Sequence, residues 1–150
     1  MRVPALPAAG LILLAALLGD VSAAQSPALT AQDVWIRATP GVDVAAAYLT
    51  LHNGSSQPLT VTGVESPVAS GAMIHESAIV NGQATMRPHQ PLRIAPGETV
   101  RFAPGRLHIM LHGLRHPLAA GAEVPLVLRL EGGGSLTVNA RVRAPGEGEK

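Results

Sequence analysis

The chain has 150 residues, 11 lysines and arginines against 10 acidic residues, a formal net charge of +1, and no cysteine. Without cysteine there are no disulfides, and both thiol redox enzymes and blue-copper electron carriers are excluded because each needs a thiolate. The near-neutral charge and the lack of a basic run give no sign of nucleic-acid binding.

The first 23 residues predict a secretory signal peptide. Arg2 supplies a positive start, residues 11–18 an apolar core, and the small residues 21–23 a cleavage site, with cleavage after Ala23 or Ala24. A membrane-spanning helix needs about 20 apolar residues, so this run predicts export to the periplasm without stable membrane insertion after cleavage. An uncleaved anchor is the alternative. The remaining chain has the size of one domain.

Within that chain, residues 24–31 predict a short tail, residues 32–143 the folded domain, and residues 144–150 a flexible C-terminal tail. The domain shows short apolar or alternating runs bounded by turn signals. The predicted strands are 32–37, 44–52, 59–64, 73–80, 84–87, 92–94, 99–102, 107–111, 123–131 and 135–143. No long segment has a 3.6-residue period, so the sequence predicts an all-β antiparallel sandwich or barrel.

The strongest turn signal is Asn81-Gly82, which predicts a two-residue hairpin loop. His75 and Met86 would then lie on one face as diagonal neighbours, about 7–8 Å apart at the backbone. Counted outward from the turn, the predicted cross-strand pairs are Val80–Gln83, Ser77–Met86 and His75–Pro88.

Two histidines and two methionines form the candidate metal site: His75, Met86, His108 and Met110. His108 and Met110 are two apart on a predicted strand, so they also share a face. A single methionine or histidine would be read as core or surface, but four such donors in same-face pairs favour ligation. Thioether sulfur and neutral imidazole suit Cu(I), whereas calcium and magnesium prefer oxygen and structural zinc usually takes thiolates.

Several segments resemble one known family. The four candidate ligands are separated by ten, twenty-one and one residues, and they lie in the segments MIHES, MRP and LHIML, downstream of WIRATP and AAAYLTLHN. This pattern is similar, across residues 32–143, to the PCu(A)C family of periplasmic copper chaperones.

The resemblance implies a single cupredoxin-like, Greek-key β-barrel that binds Cu(I) through His75, Met86, His108 and Met110. It further implies delivery to the binuclear copper centre of cytochrome c oxidase. The implied partners are the apo copper subunit of that oxidase and a thiol-bearing Sco-type copper protein.

The other conspicuous residues have ordinary interpretations. Met73 is expected to pack, with a spare thioether near the metal as the alternative. His112 and His116 are expected on the surface, with an outer shell or a second weak site as the alternative. Core packing is expected for the three aromatic residues Trp35, Tyr48 and Phe102.

Three functional classes therefore follow from the sequence: a copper chaperone, a copper buffer or resistance protein with the same site, and an interaction sandwich without metal. An enzyme is not expected, because no nucleophile and base pair or carboxylate dyad stands out. Because the candidate ligands lie near turns, we expect the site at one exposed end of the barrel rather than in its core.

Overall fold

A computed structural model describes residues 28–147, so the predicted signal peptide and its cleavage site lie outside the described residues. The described part of the chain is all-β, as predicted, and contains no helical segment that could cross a membrane. Its ten strands are β1 (Leu29–Ala38), β2 (Val44–Asn53), β3 (Leu59–Glu65), β4 (Ala69–Val80), β5 (Gln83–Pro88), β6 (Leu92–Ile94), β7 (Thr99–Arg101), β8 (Leu107–Leu114), β9 (Glu123–Leu130) and β10 (Ser135–Arg143).

Seven strands close into a barrel. The order is β4-β8-β2-β1-β10-β9-β3, and β3 returns to β4 through the pair Val64–Ala72. The three remaining strands extend the sheet, β5 beside β4, β6 beside β3 and β7 beside β2. The predicted barrel is therefore confirmed, and β4 and β8 are neighbours in its wall although about 30 residues separate them in sequence.

The start of the fold differs from the prediction. The first strand begins at Leu29, three residues before residue 32, and Leu29 is only 3% exposed. Part of the predicted tail 24–31 therefore belongs to the barrel. A bulge between Gln32 and Trp35, with Asp33 at a φ of 53°, interrupts the apolar alternation that would have revealed the longer strand. In addition, β1 pairs in parallel with β10, so the sheet is not antiparallel throughout.

The barrel interior is filled by alternate side chains of its strands. Ile74 of β4 and Ile109 of β8 are fully buried there, and Phe102 joins the same apolar cluster as predicted. Trp35 and Tyr48 are also buried, but they stack on each other, with ring centroids 4.5 Å apart, outside that cluster. Because side chains alternate along a strand, the neighbours of Ile74 and Ile109 point away from the interior.

The hairpin between β4 and β5 forms as predicted. Asn81 and Gly82 have φ angles of 50° and 76°, the positive values that a type I′ turn requires at both positions. The turn sets the register, and the predicted pairs Val80–Gln83, Ser77–Met86 and His75–Pro88 are confirmed.

Candidate metal centre

The centre of the candidate site is a pair of imidazoles on the outer side of β4 and β8. His75 lies directly opposite His108 in the antiparallel ladder, and the next pair, Ile74 with Ile109, faces the barrel interior. The two rings are edge to face, with centroids 5.8 Å apart. The fold thus brings together two histidines that are 33 residues apart in sequence.

The backbone holds the His108 ring in one orientation. Its Nδ1 lies 3.0 Å from the carbonyl oxygen of Arg106, which also accepts a hydrogen bond from the backbone N–H of Ser77. A carbonyl oxygen only accepts, so Nδ1 carries the hydrogen and Nε2 of the neutral ring keeps its lone pair. A metal-binding histidine is commonly oriented in this way by a hydrogen bond from its other nitrogen.

Two buried nitrogen atoms at this centre have no hydrogen-bond partner within the described residues. They are Nε2 of His108 and Nδ1 of His75. A buried polar atom without a partner costs about 1–3 kcal/mol, so such atoms are uncommon unless they serve a function. Their chemistry fits a ligand that accepts electron pairs.

The surroundings of His75 disfavour its protonation. Burial lowers the pKa of the His75 imidazole below its ordinary value, and the neighbouring imidazoles of His108 and then His112 lower it further. Each effect disfavours the positively charged ring. A neutral imidazole is the form that donates to a metal, so the lowered pKa favours the form of His75 that binds.

The two predicted methionine ligands lie at opposite corners of this pair. Met110 is opposite Met73, one step along β8 from His108, and is partly buried. Met86 is opposite Ser77 on β5, diagonal to His75, and is 53% exposed. Met86 and Met110 are thus four positions along and two strands across from each other, about 16 Å at the backbone in a flat sheet.

The structure therefore brings His75, His108 and Met110 into adjacent positions and leaves Met86 at the periphery. All four face away from the barrel interior. The expectation was a site at an exposed end of the barrel rather than in its core. The His75–His108 pair does lie outside the core, but the expected exposure is wrong for His108, which is only 4% exposed. The strand β8 lies between β4 and β2, so outward-facing side chains of both neighbouring strands flank His108, which its place near a turn in the sequence does not reveal.

Two features of this region do not follow from the sequence. One is the Arg106 carbonyl that orients His108. The other is the place of His112 across Gly71, where a Cβ atom would overlap the His112 ring. The sequence offers His112 as an outer-shell alternative, but only the register between β4 and β8 sets it opposite Gly71. His116, by contrast, lines a separate cavity of about 530 Å³ together with residues such as Pro117.

Comparisons with known proteins agree with this fold. Residues 29–142 match the model of the LpqE-like family, described as "Putative lipoprotein LpqE-like". The chain is also 35% identical over 128 residues to "Putative lipoprotein Lxx21020" of Leifsonia xyli subsp. xyli, covering 81% of this chain and 76% of that one.

Solved structures with the same fold include copper proteins. The solution structure of CuI-DR1885 from Deinococcus radiodurans is 31% identical, covers 82% of this chain and 83% of its own, and has a TM-score of 0.64. The copper-bound PCuAC domain from PmoF2 is 24% identical, covers 79% and 94%, and has a TM-score of 0.65, a likeness in fold. The predicted PCu(A)C-type, cupredoxin-like fold is thereby confirmed.

Proposed function

The chain belongs to the LpqE-like family, and from that premise we propose that it is an exported protein that binds Cu(I) and passes it to an acceptor protein. The similar DR1885 protein has been solved with Cu(I), and the PmoF2 domain with copper. The proposal places this chain among binding proteins rather than enzymes.

One observation carries the proposal: two buried nitrogens, one each of His75 and His108, have no hydrogen-bond partner among residues 28–147 and lie beside a thioether. An unpartnered nitrogen in a partly apolar wall is costly for a protein that binds nothing there. Cu(I) accepts electron pairs from both imidazole and thioether, whereas zinc has little affinity for methionine sulfur. The donor set therefore favours the soft monovalent ion.

In this proposal His75 and His108 hold the ion from β4 and β8, and Met110 adds a sulfur donor from the position next to His108. Met86 completes the set from the exposed hairpin strand β5. Because Met86 is the most exposed of the four, it is the donor that an incoming ligand of the acceptor replaces first. Copper is thus the cargo, and Met86 is the exchangeable side of its site.

The proposed acceptor is the apo copper subunit of cytochrome c oxidase, with a thiol-bearing Sco-type protein as a second partner. Thiolates bind Cu(I) more strongly than thioethers do, which gives transfer a direction. The relatives named as lipoproteins support an exported, envelope-associated location. Within the envelope we propose the periplasm, the compartment to which the predicted signal peptide directs the chain.

The first test is the identity of the metal. Anaerobic titration should show one tightly bound Cu(I) per chain, and X-ray absorption should show mixed sulfur and nitrogen coordination. Silver(I) should compete because it is comparably soft, and zinc should bind poorly. Failure to bind Cu(I) in competition with a chelator would leave the interaction sandwich as the remaining function.

The second test separates a chaperone from a copper buffer with the same site. The 4% exposure of His108 favours the buffer as a second candidate function, because a covered ligand releases copper slowly. Transfer to a cysteine-bearing apo acceptor is followed at increasing acceptor concentration, with a small-molecule chelator as control. A chaperone gives a rate that rises with acceptor concentration and exceeds spontaneous release. A rate equal to spontaneous release at every concentration would identify a buffer.

A further inference from the structure

We propose that Met73, Met110 and His112 form a second, outer position for the same soft monovalent ion, one step along β4 and β8 from the His75–His108 pair. This outer position rests on the proposed copper-binding function. It would receive the ion from solvent and pass it to the His75–His108 pair.

The ladder between β4 and β8 places the donors in a row. Three successive pairs face outward: Gly71 with His112, Met73 with Met110, and His75 with His108. Each step of two residues advances about 6.6–6.8 Å along the strands. Met110 lies between the two histidines of β8, so it can contribute sulfur to either position.

The glycine at position 71 gives the His112 ring its place. A Cβ at Gly71 would overlap Cε1 and Nε2 of His112, so the ring extends from β8 across β4 in the space that the missing side chain leaves. Met73 is the next residue of β4 on this same face.

Met73 and Met110 are not core filler. Within residues 28–147, neither belongs to the buried apolar cluster or to the partly buried residues that pack against it. The expected packing role of Met73 therefore does not account for its position. Two thioethers face each other on the outside of the barrel, where their sulfur atoms are available to a ligand.

Burial changes in one direction along the row. His112 is exposed, Met73 and Met110 are partly buried, and His108 is buried. An ion arriving from outside therefore meets the imidazole of His112 and the two thioethers before it reaches the His75–His108 pair. With one imidazole instead of two, the outer position should hold Cu(I) more weakly than the inner one.

The test is a Ag(I) titration of the exported chain followed by NMR, with silver as a redox-stable probe of the soft site. The first equivalent should shift the His75 and His108 signals. The second should shift the Met73 methyl and the His112 ring. Met73→Leu and His112→Asn should weaken the second equivalent by about tenfold or more while leaving the first within about twofold. His116→Asn is the matched control and should change neither.

Gly71→Ala provides a variant that keeps every donor. Its added Cβ should push the His112 ring aside, a cheap movement for an exposed side chain, and so weaken only the second equivalent. A second equivalent that is absent, or unchanged in all three variants, would overturn the outer position. In that outcome the first equivalent of Ag(I) still binds at the His75–His108 pair. If the parent protein does not bind even the first equivalent, the proposed function itself is refuted.

Discussion

The two faces of β4 and β8 show how one pair of strands carries both a scaffold and a site. On the inner face, Ile74 opposes Ile109 and both are fully buried in the apolar cluster. On the outer face, one residue further along, His75 opposes His108, and each ring has one buried nitrogen without a hydrogen-bond partner in the part of the chain that the structure describes. The same backbone register fixes both pairs. The inner pair contributes stability to the fold, whereas the outer pair is costly to the metal-free protein and useful only with a ligand.

The largest expected effect is on the inner face. Ile109→Ala should lower the free energy of unfolding by about 2–5 kcal/mol, because it removes buried methyl groups and leaves a cavity. The neighbouring change Met110→Leu keeps the volume and should cost less than about 1.5 kcal/mol. Chemical denaturation of the metal-free proteins measures both. Equal losses would show that the two faces do not differ in their contribution to stability.

Replacing His75 should weaken Cu(I) binding and, in the opposite direction, stabilise the metal-free protein. His75→Leu removes a donor and should weaken Cu(I) binding by at least about a hundredfold. It also removes a buried nitrogen that has no hydrogen-bond partner in the described chain, so the metal-free protein should become more stable, by about 1 kcal/mol.

Competition titration and denaturation of the same His75→Leu sample test both signs. If the variant is less stable than the parent without metal, the His75 nitrogen already has a partner in solution. If its Cu(I) affinity equals that of the parent, His75 is not a ligand.

The sequence predicts strand pairs that a short turn connects, but it does not predict pairs of strands that are far apart in the chain. The hairpin register around Asn81-Gly82 is local, since two positive φ angles fix it, and the pair Ser77–Met86 followed correctly. The pairing of β4 with β8 is not local. No turn connects these strands, so local sequence patterns do not predict that His75 lies opposite His108 or that Gly71 lies opposite His112.

Two expectations were wrong for different reasons. The start of β1 at Leu29 could not be predicted because the bulge near Asp33 breaks the apolar alternation. The burial of His108 was missed because its position beside a turn says nothing of the strands that cover it. That His75, Met86, His108 and Met110 together bind the ion stays a prediction, since the structure places only three of them side by side.

The two methionines sharpen the comparison within the outer face. Met110 is partly buried beside the His75–His108 pair, and Met86 is exposed on β5. Met110→Leu should therefore weaken Cu(I) binding about tenfold. Met86→Leu should weaken it by less, because a donor that solvent already reaches contributes less to the binding free energy. Affinity measured at equal free copper distinguishes them. If both variants bind as tightly as the parent, the methionine assignment is wrong.

The smallest effect is the response to pH, and its sign follows from the His75 pKa. A proton competes with the metal for each imidazole, so Cu(I) affinity must fall with pH once the rings protonate, by at most about tenfold per pH unit for each histidine. An ordinary histidine would begin this loss near pH 6.5. Burial, His108 and His112 lower the pKa of His75, so its share of the loss should begin below that value.

The same shift acts on the metal-free protein. The unfolded chain binds a proton at position 75 more readily than the folded chain. The metal-free protein therefore loses no stability through this group above about pH 6.5, and it loses stability as pH falls from there through the lowered folded value. Cu(I) competition at constant free copper between about pH 8 and pH 5, with the thioether donors unaffected, measures the binding window. A Cu(I) affinity that declines above pH 6.5 would show that the pKa of His75 is not lowered. A Cu(I) affinity independent of pH down to about 5 would show that neither imidazole is a ligand.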